Sequence, residues 1–315
     1  MLRLFSLQLA VLLAASGVAV ADHGKGAVGG KTIGPRTLSE ESFSLDAGFK
    51  FQKTQEFSDQ RLTNAALADH DLHGTDWSAE VFVGVSYGVT DRLTVSLSVP
   101  FEIVHGFKAG EFDGINPPEV VEANSISGLG DPTLMGKFRL LDDPVELAVL
   151  AGIQIPLGNT RQRADNGEVL EPDHQPGSGS WDPLLGIAVA RQFETFTIGA
   201  SVLYRITSRG RHDFTPGQQV TFAVKGEVQI LGLGTFPRVY ASLELSEQFT
   251  AKDMEGSVTN HDTGGSIIGV GVGLRVRATE KFTVGTTVTI PVYQGLYGQQ
   301  HKERYEILFG TAYDF

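Results

Sequence analysis

Apolar and polar side chains alternate along most of this chain. In its last stretch Tyr305, Ile307, Phe309, Thr311, Tyr313 and Phe315 share one parity, while Arg304, Glu306, Leu308, Gly310, Ala312 and Asp314 share the other. Successive side chains of an extended backbone point to opposite faces, so a period of two predicts strands. The same split sets Phe282, Val284, Val288, Ile290 and Val292 against Lys281, Thr283, Gly285, Thr287 and Thr289. It sets Ile268, Val270, Val272, Leu274 and Val276 against Gly269, Gly271, Gly273, Arg275 and Arg277, and Phe196, Ile198, Val202 and Tyr204 against Thr197, Gly199, Ser201 and Arg205. The pattern recurs twelve times with almost no helical periodicity between. It predicts strands over 42–52, 76–89, 93–104, 129–141, 145–157, 181–191, 195–207, 217–231, 236–249, 264–278, 281–293 and 302–315. At about 11 to 15 residues each they are twice the usual soluble strand and long enough to cross a bilayer at a tilt.

The connections alternate too. Tight turns at 90–92, 142–144, 192–194, 232–235 and 279–280 take turns with polar segments at 53–75, 105–128, 158–180, 208–216, 250–263 and 295–301. Short turns on one side and long loops on the other are the asymmetry of an outer-membrane barrel, with both termini on the periplasmic side. The expectation is an all-β, transmembrane antiparallel β-barrel of about twelve strands. A soluble sandwich also alternates, but its polar face would not carry so many glycines beside charges of both signs.

Lipid penalises charge on the outer face by about 2–4 kcal/mol for Arg or Lys at mid-bilayer, so the charged parity must face the lumen. That places Lys137, Arg139, Arg205, Lys225, Glu227, Glu244, Arg275 and Arg277 along the pore, with Asp46, Lys50, Glu80, Glu102, Asp131, Glu146, Asp182, Arg304 and Glu306 on the same face. They either pair across strands and stiffen the wall or set selectivity. A closed sheet leaves no backbone group unpaired in hydrocarbon. Twelve strands lie between filled eight-stranded barrels and open sixteen-stranded ones, so the lumen is expected to be narrow and partly obstructed. Pro100, Pro156 and Pro291 fall near outer strand ends, where proline ends a strand or marks a bulge.

Composition hides this architecture. With 315 residues, 41% hydrophobic and a mean hydropathy of -0.03, the chain has the profile of a soluble protein. Its charge does exclude some functions: 37 acidic against 25 basic residues, net -12, argues against nucleic acid. The absence of cysteine excludes thiol catalysis, cysteine zinc sites and disulfides. The division expected is a signal peptide at 1–21, with apolar Leu4 to Ala19 ending in Ala19-Val20-Ala21. A short periplasmic segment at 22–38 follows, either a tail or an extended thread into the lumen, and then the barrel at 39–315.

Of eight histidines, His23 precedes the barrel and His70, His73, His105, His174, His212, His261 and His301 all fall in the long segments. Asp69-His70-Asp71-Leu72-His73 combines imidazoles and carboxylates at a spacing that suits a divalent cation. The competing explanation is that histidine is simply excluded from the lipid face, with loop acids bridging lipopolysaccharide. The chain contains no G-x-S-x-G elbow and no H-E-x-x-H pair, so no catalysis and no cofactor are expected. The ending Phe309, Tyr313, Phe315 resembles the last-strand signal read by the barrel-assembly machinery.

Ser127-Gly128-Leu129-Gly130-Asp131 running into Leu134-Met135-Gly136-Lys137-Phe138-Arg139-Leu140 resembles a signature strand of the outer-membrane family named after the phenol meta-degradation pathway. Ile155-Pro156-Leu157-Gly158, Tyr87-Gly88-Val89-Thr90-Asp91-Arg92 and Pro176-Gly177-Ser178-Gly179-Ser180-Trp181-Asp182 are similar to other stretches of it. The resemblance implies kinship with outer-membrane fatty-acid and hydrocarbon channels that admit small, hydrophobic or aromatic compounds. Those channels carry a folded N-terminal plug, for which 22–38 is too short. The function expected is passive uptake of small solutes across the bacterial outer membrane, with lipid, lipopolysaccharide, the assembly machinery and a small-molecule solute as partners. The alternative is a surface barrel that binds metal or a partner through its acidic, histidine-bearing loops.

Overall fold

Tight turns and alternating faces force each strand to pair with its chain neighbour, and the ladder closes on itself. A computed structural model describes residues 30–112 and 114–315. The predicted signal peptide at 1–21 and residues 22–29 lie outside the described residues. Apart from four two-residue strands in the loops, the strands are β1 (Phe43–Thr54), β2 (Trp77–Thr90), β3 (Leu93–Glu111), β4 (Glu119–Leu129), β5 (Thr133–Asp142), β6 (Glu146–Gln154), β7 (Asp182–Gln192), β8 (Phe196–Arg205), β9 (Gln219–Leu231), β10 (Arg238–Thr250), β11 (Gly265–Arg277), β12 (Phe282–Leu296) and β13 (Glu303–Asp314). All pairings in the wall are antiparallel, and β1 pairs with β13, Ser44 facing Asp314. The first half of β3 pairs with β5, from Leu93 to Ser98, and its second half with β4, from Phe101 to Glu111. β4 and β5 therefore share one wall position, interrupted at Gly130-Asp131-Pro132, and the closed barrel has twelve positions.

Alternation becomes inside and outside. On β9 Phe222 and Val224 are half exposed, while Glu227 between Gly226 and Val228 is buried. On β11 Val272 and Leu274 are more than half exposed and Arg275 is buried. Exposed apolar side chains on one face and buried charge on the other invert a soluble core, as a lipid-facing wall requires. Aromatic rings collect at two levels, as the interfacial girdles of such barrels do. Phe43 packs on Tyr87, Tyr313 on Phe315 and Phe193 on Phe196 at the turn end, and Phe51 stacks on Trp77 at the loop end.

Three departures from the sequence reading have local causes. The segment expected as a loop at 105–128 is largely strand, because β3 runs on to Glu111 and pairs with β4 in a hairpin beyond the barrel rim. The segment 53–75 holds a helix, α1 (Asp59–Leu67), capped by the Ser58 hydroxyl accepting from the Arg61 amide. Its nine residues bury only Leu62 and Ala65, against Leu72, Phe57 and Val120, too few to mark a helical period. A bulge between Lys53 and Thr54 skips one residue of β13, so Glu303 turns into the lumen and Arg304 is exposed. The parity assignment of Arg304 is thereby corrected. Pro291 sits at the register shift of β12 against β11, opposite Gly269, one of the places where proline is tolerated.

Candidate functional site

The lumen has two unlike halves. In the half at the tight-turn end, periplasmic in the orientation the sequence predicts, residues 30–38 run inside the barrel, so the described part of the expected lead-in is an internal thread. Fully buried Glu244 on β10 accepts the Lys31 amide at 2.9 Å, the Thr32 amide at 2.9 Å and the Thr32 hydroxyl at 2.7 Å. The Ile33 amide donates to Ser201 Oγ at 3.0 Å, Lys137 Nζ donates to the Gly34 carbonyl at 3.0 Å, and the Arg36 guanidinium binds Glu146. Lys31 Nζ lies 3.2 Å from Glu306. The Ile33 side chain packs with Met135, Leu150, Leu184, Ala188 and Leu203 on the lumen face. At the exit the Leu38 amide donates to Thr94 Oγ1 at 2.8 Å, and the chain turns into β1.

This thread explains much of the candidate pore set. Lys137 and Glu244 hold it, and Lys225 lies beside Gly30. Glu227 and Arg275 pair with each other, Arg275 Nε donating at 3.0 Å, with the guanidinium over the Tyr240 ring. Arg139 and Arg277 sit at the periplasmic rim and donate to the carbonyls of Asp91 and Glu280. Arg205, buried on β8, is the member of the eight that lines the upper chamber.

That chamber, about 260 Å³, occupies the loop-end half, extracellular in the same predicted orientation. Val104, Phe107, Phe214, Ile267 and Leu296 supply apolar wall, and Gln154, Asp182, Arg205, Gln219 and Gln248 supply polar wall. Its roof is the segment 155–181, folded inward. Asp131, in the break between β4 and β5, holds that roof: one carboxylate oxygen accepts the Gly158 amide at 2.7 Å, the other the Ser178 amide at 2.7 Å and the Ser178 hydroxyl at 2.6 Å. Gly158 and Gly177 pass so closely that a Cβ on either would meet the other's backbone at 2.6 Å. The Gly-Leu-Gly-Asp, Pro-Leu-Gly and Pro-Gly-Ser-Gly-Ser stretches converge on this single joint. Asp182 finishes it, accepting from Ser180 Oγ at 2.8 Å and the Ser208 amide at 3.0 Å.

Residues Pro172–His174 form a short 3₁₀ turn at the roof and bring Asp173 and His174 against His73 and His301. The ring centroids of His73 and His174 are 4.4 Å apart and those of His73 and His301 are 5.6 Å apart. His174 Nδ1 lies 3.5 Å from Asp173 Oδ1, and His73 Nδ1 lies 3.8 Å from Asp71. Burial raises the Asp173 carboxyl well above the usual carboxylate range. Burial, reinforced by neighbouring His73, holds His174 well below the usual imidazole value and brings His301 down to about 4. For His73 burial acts downward, and the Asp71 and Asp173 carboxylates outweigh it, so its net shift is upward.

The candidate quartet Asp69, His70, Asp71 and His73 is not assembled. Asp69 is exposed at a left-handed turn, φ 59°, and His70 turns to Asp262, Nδ1 to Oδ2 3.0 Å. Asp262 also accepts the Asp71 and Gln299 amides, which ties three loops together. His73 and Asp71 instead join the roof, with partners a hundred residues away in sequence. Sequence reasoning named His174 and His301 only as loop histidines, because nothing in their local spacing shows that the loops fold inward.

Among curated proteins nothing matches the sequence. The fold is similar to an outer membrane channel from Pseudomonas putida F1, TM-score 0.62 at 14% identity over 89% of this chain and 98% of that one. Lower likeness is found to the β domain of the Bordetella autotransporter BrkA, TM-score 0.48 at 11% identity over 88% and 100% of the two chains. It is also found to LpxR from Salmonella typhimurium, TM-score 0.44 at 12% identity over 86% and 99%. Residues 29–298 match the family described as "Putative MetA-pathway of phenol degradation", and with most of its length inside that match the chain belongs to this family.

Proposed function

We propose that this protein is an outer-membrane channel for the passive uptake of small, hydrophobic or aromatic solutes, acting without catalysis. The observation that carries this reading is the half-apolar chamber of about 260 Å³ inside a barrel whose outer face is apolar. Pockets for drug-sized ligands run to roughly 300–1,000 Å³, so a chamber of about 260 Å³ suits a solute smaller than those. Phe107, Phe214, Val104 and Ile267 offer it ring and aliphatic contact, and Arg205 and the glutamines offer hydrogen bonds to a hydroxyl. Membership of a family described by phenol degradation supports the aromatic class.

Passage requires the thread at 30–38 to yield, since it fills the periplasmic half. Wall pairs such as Lys50 with Glu80, 2.8 Å apart, and Glu227 with Arg275 stiffen the cylinder around it. The test is uptake of phenol and of a charged analogue, benzoate, into proteoliposomes bearing the intact protein. Faster phenol entry than in protein-free liposomes is expected, with benzoate slower. Equal phenol entry with and without protein would refute the channel.

A further inference from the structure

Several buried polar atoms of the described lumen, Asp182 Oδ2 and Gln219 Nε2 among them, lack a hydrogen-bond partner, and at the chamber roof three such atoms fall on neighbouring side chains. His73 Nδ1, Asp173 Oδ1 and His174 Nε2 are buried and lack a hydrogen-bond partner. His174 is 8% exposed, and its side chain lines the chamber with those of His73, Asp173 and His301. An unsatisfied buried polar atom costs about 1–3 kcal/mol, and three of them on adjoining side chains are placed to share one partner.

Donor atoms of His73, Asp173 and His174 all lie within 4.8 Å of one another, and those of Asp71, Glu171 and Asp173 do the same. We infer that His73, Asp173 and His174 bind one divalent transition-metal ion of the zinc class at the chamber roof. Ligands at about 2.1 Å around a tetrahedral ion stand about 3.4 Å apart, so donor atoms already within 4.8 Å of one another need only side-chain shifts to close on an ion. Two imidazoles with one carboxylate select zinc, nickel or copper over calcium and magnesium, which take oxygen ligands. His301, its ring centroid 5.6 Å from that of His73, neighbours the group without being one of its three donors. Asp71 and Glu171 supply negative charge around the ion.

The donors come from separate loops: His73 follows α1, whereas Asp173 and His174 sit on the inward-folded roof. A bound ion therefore ties the roof to the barrel rim. The site differs from a metal site on the outer loop built from Asp69 and His70, whose side chains point elsewhere. It also stands whether or not solute crosses the barrel.

Isothermal titration of the folded barrel in detergent with zinc chloride tests the site, with magnesium chloride as the control. One zinc equivalent and no magnesium heat are expected. His174→Ala and Asp173→Asn should each weaken zinc binding by at least about tenfold, since even outer-sphere partners of metal ligands change affinity 10- to 100-fold. His70→Ala should leave it unchanged. Because His174→Ala leaves space in the roof, each variant is first confirmed as a heat-modifiable barrel on a gel. Asp173→Asn, which preserves shape, decides the matter if His174→Ala does not fold. Absence of zinc heat, binding untouched by the Asp173 and His174 changes, or binding lost in His70→Ala would each overturn the site.

Discussion

The two halves of the lumen are built from the same residue classes and finished differently. In the periplasmic half the Lys31, Thr32 and Ile33 amides and the Thr32 hydroxyl each have an acceptor, and buried Glu244 alone takes three of them. In the extracellular half His73, Asp173 and His174 carry buried atoms without partners around an open chamber. A polar network that is fully satisfied stiffens and fills. One left incomplete beside a cavity leaves room for a further partner. The lower half is thus a plug and the upper half a receptacle, although a parity plot paints both as the same polar stripe.

Removing the plug should have the largest effect. Glu244→Ala deletes three hydrogen bonds to a charged acceptor, each contributing about 1.5–3 kcal/mol, and releases the thread where it is held most tightly. Single-channel conductance in planar bilayers should rise about tenfold or more as the periplasmic half empties. Unchanged conductance in a folded barrel would show that the thread does not limit passage. The next effect belongs to the roof. Asp131→Asn keeps the shape but removes the charge that accepts from Gly158 and Ser178. Limited proteolysis should then cut within 155–181 several-fold faster, with cleavage elsewhere unaltered.

Parity in the sequence located the faces of this barrel because lipid punishes each misplaced charge separately, strand by strand. It could not name partners. Glu244 and Thr32 are 212 residues apart, and no local pattern announces their bond. Parity also fails wherever a bulge inserts a residue, as at Lys53 and Thr54, where Glu303 takes the lumenal place expected of Arg304. The Gly-Leu-Gly-Asp signature was visible as a family likeness, but its role was hidden. Asp131 acts on residues 27 and 47 positions later. The donors of the roof were visible only as histidines crowded into loops. Whether loops fold over a barrel or stand away from it depends on contacts such as Asp131 with Ser178, which are tertiary.

Stability separates the halves less sharply. Arg275 and Glu227 are both buried in the wall, and Arg275→Ala leaves a carboxylate in the lumen without its guanidinium. Breaking such a pair from one side costs about 3–5 kcal/mol. The heat needed to convert folded to unfolded mobility on a gel should fall measurably below that of the parent protein. No shift would mean that water or another cation replaces Arg275 at no cost, and that the periplasmic half is looser than its hydrogen bonds indicate.

The smallest effect is expected above the rim. Lys108 Nζ bridges Asp59 of α1 at 2.9 Å and Glu122 of β4 at 2.5 Å, but all three side chains are a third or more exposed. Exposed pairs of this kind contribute about 0–1 kcal/mol and are screened by salt. The helix is held instead by Leu62 and Ala65, buried against Leu72 and Val120. Lys108→Ala should therefore leave the gel conversion temperature within experimental error of the parent, whereas Leu62→Ala should lower it, because removing a buried leucine costs about 2–5 kcal/mol. If Lys108→Ala were the more damaging of the two, charge rather than apolar packing would be what fastens the outer loops to the barrel. The receptacle above the plug would then be open to control by ionic strength.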